Sequence, residues 1–155
     1  MQHKKKALID LALLLTRVAI GVYLALAGVG KVRGELNQGV GHFYRGDFKG
    51  LQPGWLPDAL AAPYGYALPW AEVVVGALLV LGLFSTVMAA LTALMVLSFT
   101  IALAMKFGPS AQPGGSGGPF SANYITTAAA FLLACVGPGR LSIDHLWRGR
   151  KASGG

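Results

Sequence analysis

The run ALIDLALLLTRVAIGVYLALAGVG, residues 7–30, decides the fold. A helix of that length crosses the roughly 30 Å hydrocarbon core of a bilayer, and only Asp10 and Arg17 interrupt its apolar character. Runs of the same kind follow at residues 65–84, 86–107 and 121–137. Four spans of about 20 residues with their connections fill nearly all of the chain, so residues 1–155 are expected to form a single membrane domain. Composition agrees: 54% of the residues are hydrophobic and 12% charged, where a soluble domain carries about a quarter charged. The predicted class is an all-α membrane protein, a four-transmembrane-helix bundle with a long first extracytoplasmic loop.

The formal charge of +7 does not point to nucleic acid, because the bases gather at the ends of the spans and not along one face. Lys4, Lys5 and Lys6 precede the first span, and Arg140, Arg148, Arg150 and Lys151 follow the last. An even number of spans puts both clusters on one side, and the positive-inside tendency makes that side the cytoplasm, giving an N-in and C-in protein of a plasma membrane. A cleaved signal peptide is the competing reading of the first run; its length and its two internal charges argue against it. Cys135 is the chain's one cysteine. It therefore forms no intramolecular disulfide and no CxxC thiol relay. His3, His42 and His145 lack ligand spacing, so no metal site is expected.

Between the first two spans lies a loop of about 35 residues, too long for a passive hairpin and expected to fold back onto the bundle. It and its exit carry His42, Phe43, Tyr44, Phe48, Trp55, Tyr64, Tyr66 and Trp70, a composition suited to headgroup level. Pro53, Pro57, Pro63 and Pro69 are expected to break any long helix there, leaving one short turn over residues 58–62. Ser85 reads as an N-cap between the second and third spans. Residues 108–119, rich in Gly, Pro and Ser, read as a mobile connection. Gly137 and Gly139 flank Pro138 and end the fourth span, after which Ser142 is placed to cap a short C-terminal interfacial helix reaching Trp147.

At 100° per residue, Asp10, Arg17, Gly21, Gly28 and Lys31 fall on one stripe of the first span. Small residues admit a close neighbour, so Gly21, Gly28 and Gly76 are expected to pack helices, and the stripe should face the bundle interior. Glu72 and Gly76 define the inward face of the second span, and Asn123 and Thr127 that of the fourth. The three faces are expected to converge on one interior site. Counting depths from the span ends leaves a gap of about 7 Å between Arg17 and Glu72, within reach of an arginine, and the two are expected to pair.

The segments LLLTRVAIGVYLALAGVGKV, LPWAEVVVGALLVLGLFSTVMAA and FSANYITTAAAFLLACVGPGRLSID, in that order, resemble the DoxX family of small bacterial membrane proteins. The matching positions are Arg17, Gly21, Gly28, Lys31, Glu72, Gly76 and Asn123, with the exit motif Gly137, Gly139, Arg140, Ser142 and Asp144. The resemblance implies a four-helix protein of a bacterial inner membrane that partners a quinone-linked or oxidative-stress-related oxidoreductase. Within that expectation the chain is an accessory subunit and not itself the catalyst. A quinone is the expected ligand, the lipid bilayer and a redox enzyme subunit are the expected partners, and self-association into a homo-oligomer stays open. Two alternatives compete: a small transporter built around Glu72, and a structural assembly factor.

Overall fold

The computed structural model describes residues 2–108 and 119–144, with side chains for residues 4–108 and 122–144. The described residues are all helix, turn and loop, with no strand among them. Four helices make up the body: α1, Gln2–Gln38; α2, Asp58–Leu81; α3, Ser85–Phe107; and α4, Pro119–Val136. By length and composition α1, α2 and α3 can each cross a membrane, and α4 contains a shorter apolar stretch, Ala122–Val136.

Helix α1 outruns its apolar stretch. Residues 31–38 hold no proline, the helix carries Gly34 without breaking, and the chain turns only at Gly39 and Gly41, whose φ values of 93° and 86° suit glycine. The extra turns carry Lys31 and Glu35 on one face, four residues apart.

Helix α2 corrects the expectation that proline would break this region. It starts at Asp58, after Pro57 in extended conformation, and runs through both Pro63 and Pro69. Proline costs a helix a backbone donor, and packing against neighbouring helices tolerates that loss; Pro69 is among the most fully buried residues. Gly82 (φ 74°) ends α2 in a Schellman closure, with Gly82 N–H to Leu79 O at 3.1 Å and Leu83 N–H to Leu78 O at 3.0 Å.

Helix α1 lies chiefly along α2, and α4 chiefly along α3. Inside, Ile20, Leu79, Ala89, Ala93, Ala130 and Leu133 form one apolar cluster. The second cluster includes Leu24, Leu68, Val75 and Val96 together with three residues of the first loop, Phe43, Tyr44 and Phe48. That loop is a folded cap. A π-helical turn, Tyr44–Phe48, runs into a helical turn, Lys49–Leu51, and Phe43 stacks edge-on to Phe48 at 6.1 Å. Lys49 bridges to Asp58 at 2.5 Å, and that hydrogen bond holds the Lys49 ammonium above its ordinary range. The expected mobile connection at residues 108–119, its two end residues apart, and the interfacial helix beyond Asp144 lie outside the described residues.

Candidate functional site

The register of α1 on α2 is set by glycine. A Cβ on Gly76 would lie 2.6 Å from the Ala25 nitrogen and the Gly21 oxygen, and one on Gly21 would lie 2.8 Å from the Gly76 oxygen, so the two backbones touch there. About two turns further along α1 from Gly21, a Cβ on Gly28 would meet the Val73 nitrogen at 2.7 Å and the Glu72 Cβ at 2.8 Å. This lock puts Glu72 level with Gly28, and Lys31, one turn further along α1, reaches it.

The Lys31 ammonium donates to Glu72 Oε1 and forms an ion pair with it. The same nitrogen sits 5.0 Å from the ring centre of Phe43 and 4.7 Å from that of Phe99, so two aromatic faces complete its surroundings. The Glu72 side chain is 3% exposed, and its second oxygen, Oε2, is buried without a hydrogen-bond partner. Tyr23 and Tyr64 lie within electrostatic reach of it. The Tyr23 hydroxyl donates to Asn123 Oδ1 at 3.2 Å, linking α1 to α4.

The cap is tied down by a residue that the sequence reading passed over. Glu35, buried at 4% exposure, accepts from the backbone N–H of Gly41 and from that of Phe43, the latter at 2.8 Å. Its carboxylate thus fixes the backbone that presents Phe43 to Lys31. The available signal was position: Glu35 follows Lys31 by four residues on the same face.

Arg17 and Glu72 do not pair, contrary to the expectation from depth. A Cβ on Gly82 would lie 2.7 Å from Arg17 Nη1, so Arg17 is level with the end of α2, whereas Glu72 is level with Gly28. Residues 17 and 28 are about 16 Å apart along one helix. Counting each span from its own apolar end misplaces the two, because α1 runs well past the Gly82 end of α2 and Arg17, not Leu8, is level with that end. For the same reason the polar faces do not converge on one interior site: Glu72 and the Lys31 that reaches it lie at one level of the bundle and Arg17 at another, with the Tyr23 to Asn123 bond between them.

Arg17 instead holds the chain exit. Its guanidinium donates to Leu141 O at 2.9 Å and Pro138 O at 3.5 Å. Asp144 accepts from the backbone N–H of Phe84 at 2.8 Å and of Ser85 at 2.7 Å, and Asp144 N–H returns a bond to Gly82 O at 3.1 Å. Asp144 is therefore the N-terminal cap of α3, supplied from the far end of the sequence. Ser85, expected to cap, is inside the helix with its hydroxyl unpartnered. Phe84 takes the left-handed conformation (φ 49°) that Asp144 secures. Asp10 Oδ1 accepts from Arg140 N–H at 2.9 Å, and the Ser142 hydroxyl donates to Gly139 O at 3.1 Å. Gly137 and Gly139, with φ of 89° and 72°, make the turns. The exit motif is a clasp between the first and last helices and the α2 to α3 corner.

The family model of methylamine utilisation protein MauE matches residues 9–139. The chain belongs to the MauE family. That assignment replaces the DoxX resemblance. No curated protein matches the chain, and no solved structure does. The MauE match takes in the Lys31 and Glu72 pair, the cap and Asn123, and stops short of Arg140, Ser142 and Asp144. Those three residues helped to carry the DoxX resemblance. Their work in the structure is to close a helical bundle, which any bundle with a similar exit would need, and so they identify no family.

Proposed function

We propose that this MauE-family chain is an accessory membrane protein of a redox enzyme system. In this reading it supports the making or housing of an oxidising enzyme and does not carry electrons itself. The family match across the site is the observation that supports it most. The family's name ties it to methylamine utilisation, and use of methylamine as a nutrient requires oxidation at its C–N bond. With one cysteine the chain has no thiol relay. Its buried carboxylate is already compensated by Lys31. We place four spans in a bacterial inner membrane with both termini inside, the Lys31 and Glu72 end facing outward beneath its cap. Its partners in this reading are the bilayer and a subunit of the oxidising enzyme.

A transporter built on Glu72 is disfavoured by the compensating Lys31, because a carrier carboxylate needs to exchange its cation freely. Deleting the gene and measuring amine-dependent respiration tests the proposal. Loss of that respiration with the oxidising enzyme's polypeptide still made supports it. Unchanged respiration, or substrate uptake by vesicles holding this chain alone, refutes it.

A further inference from the structure

Between the cap and helices α2 and α3 lies a cavity of about 250 Å³ that belongs neither to the Lys31 and Glu72 pair nor to the exit clasp. Phe48, Trp55, Tyr64 and Phe99 line it with aromatic surface, and Phe99 is shared with the cage around Lys31. Every lining side chain is uncharged. A neutral, largely apolar ligand is required, since a bare charge placed there would lose its hydration with nothing to replace it. The volume exceeds the roughly 150 Å³ that accommodates benzene in a dry protein cavity. It is too small for a whole two-chain lipid and suits a substituted ring.

The polar atoms of the wall narrow the class further. Ser98 has one hydroxyl proton, and Ser98 Oγ donates to Met95 O at 2.7 Å. In the 2.7 Å contact between Tyr64 and Ser98, Tyr64 is therefore the donor. The Tyr64 oxygen is left able to accept. Gln52 shows the same polarity: its amide nitrogen donates to Leu56 O at 2.7 Å and Asp58 Oδ1 at 2.9 Å, which fixes the orientation of the amide. Its oxygen, Oε1, is buried with no donor. The Tyr64 oxygen is thus an acceptor at this wall with its own donor already committed, whereas Gln52 Oε1 is closed off from the cavity.

We propose that this cavity binds a membrane-dissolved ring bearing a hydroxyl group, of the quinol class, and prefers it to the oxidised quinone, which has no hydroxyl to give. Naming a quinol rests on the accessory redox reading above; the preference for a hydroxyl donor rests on the cavity alone. A site of this kind takes up a reduced lipid-soluble carrier beside the pair without the chain exchanging electrons.

The test uses the full chain in nanodiscs, with affinity read from the ligand-dependent rise in melting temperature. The probes are decylubiquinol, decylubiquinone, 4-nonylphenol and its methyl ether, with 1-dodecanol as a lipid alcohol lacking a ring. Decylubiquinol and 4-nonylphenol are expected to bind about 10-fold more tightly than decylubiquinone and the methyl ether, the effect of one hydrogen bond. Tyr64→Phe, which gives up the hydrogen bond to Ser98, is expected to lower the unliganded melting temperature slightly and to erase that preference. Ala102→Trp should block all the probes by filling the cavity. Equal affinity for each hydroxyl probe and its partner overturns the proposal, as does a preference that survives Tyr64→Phe, or dodecanol binding as tightly as the phenol. Binding of the phenol without decylubiquinol removes the quinol assignment. None of these readouts depends on amine-dependent respiration, so failure here and failure of the accessory role are separately visible.

Discussion

Breaking the Lys31 and Glu72 pair from the Lys31 side should cost more than removing it whole. In Lys31→Met the Glu72 carboxylate, 3% exposed and with Oε2 already unpartnered, loses its one hydrogen bond and its counter-charge together. Removing one partner of a buried pair costs about 3–5 kcal/mol. The lower end, about 3 kcal/mol, is expected because the Lys31 side chain is 22% exposed and water can partly follow it out. Glu72→Gln should cost about 2 kcal/mol, since the ammonium keeps the faces of Phe43 and Phe99 at 5.0 and 4.7 Å. The double variant Lys31→Met with Glu72→Gln should cost about 2 kcal/mol in total, a coupling of about 3 kcal/mol between sites in contact. Arg17→Met combined with Glu72→Gln should be additive within about 0.5 kcal/mol, as for separated sites. Unfolding titrated in mixed micelles measures all four combinations. Coupling of Glu72 to Arg17 in place of Lys31 would refute the register set by Gly21 and Gly76.

Other consequences follow from single contacts. Asp144→Ala removes the cap of α3 and should destabilise the protein by about 1–2 kcal/mol, with faster hydrogen exchange at Phe84 and Ser85; Ser85→Ala should change little, because its hydroxyl makes no bond. Gly76→Ala drives a methyl to within 2.6 Å of the α1 backbone and should cost about 1–3 kcal/mol, whereas Gly30→Ala, with nothing within 4 Å, should be neutral or slightly stabilising in a melting experiment. Glu35→Gln should loosen the cap, read as faster exchange of the Gly41 and Phe43 amides while the exchange of α3 is unchanged.

The helical class was readable because apolar runs of span length have few other uses. The packing stripe was readable too: Gly21, Gly28 and Lys31 share a face by arithmetic alone. What periodicity does not contain is the offset of one helix against another. Lys31 and Glu72 meet because a pair of glycines locks α1 and α2 at one register, and no single-helix count yields that number. Glu35 was lost because the end of an apolar run was taken for the end of the helix. Pro63 and Pro69 misled for a different reason: helix packing outweighed local preference. Asp144 could not be assigned to α3 from sequence, since its bonds cross 59 and 60 residues of chain.

Complementation tests most directly whether the pair beneath the cap serves an oxidising enzyme system. Cells lacking the gene are supplied with the wild type or with the Lys31→Met and Glu72→Gln double variant, matched for amount in the membrane, and amine-dependent respiration is measured. The double variant is expected to accumulate and fold but to restore no more than a small fraction of the wild-type rate. Full restoration by a double variant that has lost both charges would show the pair to be structural and would contradict the account.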